Sequence, residues 1–142
     1  MRYVLDASVA LKWVLPEPDS GKADLLRAEY RAGLHQFLAP DVFPVEVAHA
    51  LTRAERRNII SPPQGAVLLA DVLTTLPVLH PSLPDLLPRA FVISSQARIG
   101  VYDCLYVALA ERERCELVTA DDRLVQALLA VFTFILPLAS MP

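Results

Sequence analysis

Arg2-Tyr3-Val4-Leu5-Asp6-Ala7-Ser8 is the stretch that decides the fold. A short β-branched and aromatic run stops abruptly at Asp6, and a helix-like pattern begins at once. A strand that is apolar on both faces belongs inside a parallel sheet covered by helices. Asp6 then stands at the carboxyl end of that strand. Open α/β sheets bind their ligands there, in the crevice where strand order reverses. A carboxylate in that place is either a cap for the next helix or a ligand.

Outward from this stretch the sequence predicts an alternation. Residues 7–15 read as a short helix ended by Pro16 and Pro18. Asp19 or Ser20 caps a helix over Gly21–Arg31, with Ala23, Leu26 and Tyr30 at helical spacing and Gly33 behind it. Phe37–Ala39 is a strand closed by Pro40, and Asp41 caps the next segment. A helix over Phe43–Arg57 carries Val45, Val47, Ala48, Ala50 and Leu51 inward. Ser61-Pro62-Pro63-Gln64 combines a capping box with proline at the first helical position, opening a helix to about Thr75. These two helices make a hairpin at about 43–75. Then come a strand at Leu76–His80, a helix at Pro84–Ala97, and a helix at Asp103–Arg114 with Leu105, Ala108 and Leu109 on one face. Pro88 is tolerable only in the first turn of the former. A strand at Glu116–Ala120, a helix at Asp121–Ala130 and a last strand at Val131–Leu138 complete the chain. Strands alternating with helices of 10–15 residues predict βαβ units in one domain, residues 1–142, with a parallel sheet of four to five strands.

Composition narrows the classes. Of 142 residues 54% are hydrophobic, which excludes disorder. The net charge of −3 excludes nucleic-acid binding by bulk charge, so such a role needs local basic patches or a bound metal. Cys104 and Cys115 form no CxxC, which fits a reducing compartment. No signal-peptide pattern opens the chain. The most apolar stretch, Val125–Ala139, is broken by Gln126, Thr133 and Pro137. A soluble, cytoplasmic protein is expected.

Four acids stand where ligands are expected: Asp6 after a strand, Glu46 near the start of a helix, Asp103 opening a helix, and Asp121 after a strand. Taken singly, Asp103 and Asp121 read as helix N-caps. Glu46 does not, because it lies between Val45 and Val47 and a carboxylate among apolar residues needs a partner. Together, four carboxylates repel one another and a divalent cation removes the conflict. Oxygen-only donors favour Mg²⁺ or Mn²⁺ over zinc. Such an ion, held by carboxylates, serves phosphoryl-transfer chemistry.

The motifs Leu5-Asp6-Ala7-Ser8-Val9-Ala10, Glu46-Val47-Ala48-His49-Ala50-Leu51, Tyr102-Asp103-Cys104-Leu105-Tyr106-Val107-Ala108-Leu109-Ala110 and Val118-Thr119-Ala120-Asp121 resemble, in order and spacing, those of PIN-domain ribonucleases of the VapC toxin type. The resemblance spans essentially the whole chain. It implies a three-layer sandwich of helices about a parallel sheet, Mg²⁺-dependent RNA cleavage, a homodimer and an antitoxin partner. It carries over Asp6, Glu46, Asp103 and Asp121 as the acidic set, with Asp6, Asp103 and Asp121 as metal ligands and Ser8 and Thr119 as the hydroxyls beside them. Cys104 departs from the pattern, which usually has a small residue such as Ala there. Asp122 reads as a solvated charge in the first turn of the last helix.

Glu46, His49, Arg53 and Arg57 follow helical spacing, leading from the acids to Arg56 and Arg57 at the hairpin tip. This stripe reads equally as an RNA-backbone track or as a solvated face with a dipole-favoured basic end. Trp13 and Tyr30 read as core. Tyr102 and Tyr106 flank Asp103, within reach of a nucleotide, but read more readily as packing residues. The alternatives are a receiver-like signalling domain, which wants an acidic pair after its first strand, and a non-catalytic PIN-like module binding RNA or a partner, which should have lost acids.

Overall fold

A computed structural model describes all 142 residues. Five strands form one parallel sheet in the order β3-β2-β1-β4-β5: β1 (Arg2–Leu5), β2 (Gln36–Pro40), β3 (Val78–His80), β4 (Glu116–Thr119) and β5 (Ile135–Pro137). β1 is the middle strand, and Val4 and Leu5 are wholly buried. The chain first builds outward through β2 and β3, then returns to the other side of β1 for β4 and β5. The order therefore reverses between β1 and β4, at the end of β1 that carries Asp6.

Seven α-helices flank the sheet: α1 (Ala7–Leu11), α2 (Ser20–Arg31), α3 (Phe43–Arg56), α4 (Pro62–Leu73), α5 (Leu87–Ala97), α6 (Val101–Glu113) and α7 (Asp122–Leu128). α6 packs against β1, β2 and β4, and α5 packs against α6. All seven residues Cys104–Ala110 are buried. The expectation of a single apolar face on this helix was too narrow; a helix apolar all round is an interior one. Phe37 of β2 stacks on Tyr30 of α2 at 4.7 Å and faces Trp13 at 6.4 Å, so both aromatics pack as expected. α3 and α4 pack together as the hairpin, and Ser61 caps α4 by accepting from the Gln64 amide.

Several boundaries move. α1 ends at Leu11, four residues short, and residues 12–15 form turns. The helix expected from Pro84 starts at Leu87, after an irregular turn over Ser82–Leu86. Pro88 is then its second residue, where a missing N–H costs nothing. α6 begins at Val101 behind Gly100, so Asp103 lies within its first turn and does not open it. Asp41 does not cap α3. Its carboxylate accepts from the Ser82 amide and hydroxyl, tying the end of β2 to the start of that turn. The last strand is only Ile135–Pro137, because residues 129–134 are spent turning out of α7. No helix is long and apolar enough to cross a membrane.

Candidate active site

Asp6 is the hub. It is 4% exposed, and its Oδ2 accepts hydrogen bonds from the Ser8 hydroxyl at 2.7 Å and the Thr119 hydroxyl at 2.8 Å. The Asp6 amide donates to Val118 of β4 at 3.1 Å, so the strand pairing itself sets the carboxylate beside Thr119. Ser8 accepts in turn from the Ala120 amide, and Thr119 from the Asp121 amide, both at 3.0 Å. The β1 and β4 ends are laced together by these hydroxyls, as their placement beside Asp6 implied.

Around this hub opens a cleft of about 890 Å³, lined on one side by Glu46, His49 and Arg53 of α3 and on the other by Tyr102, Asp103 and Asp121. All four predicted acids therefore line one cavity. Asp121 also caps α7: its Oδ1 accepts from the Arg123 amide at 3.0 Å and the Leu124 amide at 3.4 Å. The cap and the cleft are two uses of one residue. Asp122 is exposed in the first turn of α7. His49 and Arg53 of the predicted stripe line the cleft.

None of the molecule's ion pairs includes Asp6, Glu46, Asp103 or Asp121. Burial pushes the Glu46 carboxyl up to about 7, with Asp6 and Asp103 adding repulsion and the nearby Tyr106 hydroxyl tempering it. Burial pushes Asp103 up to about 6, raised further by Asp6 and Asp121 and relieved by Arg123. Burial also raises Asp6, against the pull of its two hydroxyl donors. These are carboxylates short of positive charge. Glu46 Oε1 is buried without any hydrogen-bond partner.

The donor set suits a hard divalent cation in both chemistry and charge. No three His, Cys, Asp or Glu side chains are gathered closely enough to form a ready-made cage. Asp6 commits one oxygen to its hydroxyls and Asp121 one to its cap, and each keeps a second oxygen. Mg²⁺ does not need such a cage, since it keeps several waters and takes one or two carboxylates directly.

Two cleft residues were misread from sequence. Val45 does not point inward; it is 70% exposed and lines the cleft. Tyr102 is not a packing residue; it is 58% exposed at the opposite wall. The signal was available for Val45, which lies two residues before the buried Val47 and so on another side of the helix. Tyr106, its companion in the motif, is fully buried, and so is Cys104.

The PIN domain family model matches residues 3–127. Ribonuclease VapC12 of Mycobacterium tuberculosis is 38% identical over 125 residues, covering 87% of this chain and 90% of the relative. Among solved structures, PAE2754 from Pyrobaculum aerophilum superposes with a TM-score of 0.71 at 19% identity, covering 99% of this chain and 85% of that one. VapBC2 from Rickettsia felis, solved bound to a DNA fragment of its promoter, superposes at 0.66 and 15% identity, covering 96% and 97%.

Proposed function

This chain belongs to the PIN-domain family, and on that footing we propose that it is an Mg²⁺-dependent endoribonuclease, the toxin of a toxin–antitoxin pair. The observation that carries the reading is the convergence of Asp6, Glu46, Asp103 and Asp121 on one cleft at the reversal of strand order, with no cation paired to any of them. The name of the M. tuberculosis relative supports the reaction, and the VapBC2 complex supports a protein partner.

Asp6, Asp103 and Asp121 would hold the ion. When bound, Mg²⁺ or Mn²⁺ supplies an activated water and charge stabilisation on the phosphate. Glu46 lines the opposite wall. There it orients the attacking water in line with the scissile bond and takes its proton. Ser8 and Thr119 fix Asp6. His49 and Arg53 receive a neighbouring phosphate, a contact that positions the RNA without reading its sequence. Val45 and Tyr102 give the cleft mouth apolar walls that suit an unstacked base.

Water attack expels the ribose 3′ oxygen, so products carry 5′-phosphate and 3′-hydroxyl ends. Incubating a structured RNA with and without EDTA and analysing the ends tests this. Cyclic phosphate ends, or full activity in EDTA, would overturn it.

The exposed Ile59 and Val67 of the hairpin support a homodimer and a groove between hairpin and body that receives an apolar antitoxin segment. The last strand adds little to this surface, since Ile135 is buried; the exposed apolar residue near it is Val131, ahead of the strand. Sedimentation as a monomer at micromolar concentration would count against the dimer.

A further inference from the structure

Four buried side-chain atoms in the molecule lack a hydrogen-bond partner. Two are ring nitrogens of His35 and His80, whose other nitrogens are paired with Glu29 and Arg112. The remaining two are the Tyr106 hydroxyl and Glu46 Oε1. These two are complementary, a donor and an acceptor. They are also neighbours: the phenol and the Glu46 carboxyl act on each other, with Asp6 and the Ala7 amide also close enough to act on the phenol. Tyr106 follows Asp103 by three residues on α6, so one helix face presents both to the same place.

We propose that Tyr106 is the positioning residue of Glu46: its hydroxyl donates to Oε1 and holds the carboxylate with its second oxygen toward the cleft. The inference deepens the role given to Glu46 above and rests on it. A tyrosine buried only for packing sends its hydroxyl to a main-chain carbonyl or to solvent. Tyr106 does neither; its side chain is fully enclosed, its hydroxyl has no hydrogen-bond partner, and the groups that act on it are the carboxyls of Asp6 and Glu46 and the Ala7 amide. Burial keeps the phenol protonated, so what it gives a carboxylate is a donated hydrogen bond. Because Oε1 is shut off from water, no solvent molecule substitutes for that donor.

A double-mutant cycle of Y106F and E46Q tests the pairing, read first as melting temperature of the metal-free protein at pH 8. The single shifts should fail to add in the double variant, because neighbours that share a hydrogen bond couple. Read as cleavage of an RNA oligonucleotide in Mn²⁺, Y106F should lower kcat about 10-fold with KM unchanged. It should do almost nothing further in the E46Q background. Additive melting shifts overturn the proposal, as does an equal kcat loss from Y106F in both backgrounds. If Y106F fails to fold, rescue by E46Q supports the pairing, and failure in both backgrounds overturns it. A wild-type protein that cleaves no RNA refutes the nuclease reading and leaves the melting cycle to decide the pairing alone.

Discussion

Two polar clusters lie beneath the surface, and they are built on opposite terms. At one, Arg27 of α2 is 7% exposed and meets acceptors on two of its three nitrogens. Its guanidinium donates to the Thr75 hydroxyl at 2.9 Å, to the Asp71 carbonyl at 2.7 Å, to the Asp71 carboxylate at 3.1 Å and to the Thr74 hydroxyl at 3.2 Å, and it lies 4.6 Å from the Trp13 ring centroid. It closes the last turn of α4, where carbonyls lack helical partners. At the other, Asp6, Glu46 and Asp103 repel one another, and no ion pair includes any of them. A buried cluster that is satisfied serves the fold. One left unsatisfied stores a cost that a ligand can relieve, and such groups mark functional sites.

The sharpest way to break this contrast is to remove charge from the acidic cluster. Asp6→Asn with Asp103→Asn should reduce RNA cleavage at least ~1000-fold, about 4 kcal/mol of barrier. The metal-free double variant should melt no lower than wild type, because repulsion is relieved. A large loss of stability would mean that the acids serve the fold after all.

Arg27→Met should do the reverse. Stripping a partner from a buried, hydrogen-bonded charge cluster costs about 2–4 kcal/mol, or roughly 10 °C in melting temperature for a chain of this length. Cleavage per folded molecule at 25 °C should stay near wild type. Thermal melts beside single-turnover assays separate the two outcomes.

Metal addition sharpens the comparison further. Mn²⁺ at a hundredfold excess over its dissociation constant should stabilise wild type by about 2.7 kcal/mol. Arg27→Met should keep the whole increment and the double acid variant none of it. An unchanged Mn²⁺ shift in the double acid variant would remove the metal from the account.

The smallest effect is on pH. Glu46 and Asp103 sit at about 7 and about 6 when folded, above their ordinary values of 4.5 and 3.8. Between those limits the folded state binds more protons than the unfolded one, so metal-free stability falls as pH rises from about 4 to about 7. Solvent screening, and the relief that the first protonation gives the second acid, keep the change well below the sum of the two shifts. Flat melting temperatures across that window would indicate acids less crowded than their positions imply.

The acidic cluster was legible in the sequence and the arginine cluster was not, although both had signals. Asp6 and Asp121 each follow an apolar strand run, and Glu46 interrupts an apolar helix; an acid in such company stands out. Arg27 falls on the same stripe as Ala23 and Tyr30, four residues after one and three before the other. That stripe faces the core, and a cation on it needs acceptors. They come from Asp71, Thr74 and Thr75, 44 to 48 residues away, which no local pattern announces. One boundary failed where a distant tie overrode local preference: Asp41 is claimed by Ser82, 41 residues on. The exposure of Val45 and Tyr102 was hidden because apolar character alone does not distinguish a core wall from a binding wall.

The hydrogen bond from Thr119 to Asp6 spans 113 residues, and it has a consequence in time. A growing chain makes Asp6 long before its partners: β1 has no neighbour on its β4 side until Glu116–Thr119 is made, and the cleft no Asp121 until two residues later. At ~5–20 residues per second, the 113 residues that separate Asp6 from Thr119 take about 6–23 s to make, and for that time Asp6 lacks both the Thr119 hydroxyl and Asp121. A prematurely terminated product lacking residues beyond 115 carries three of the four acids and no site.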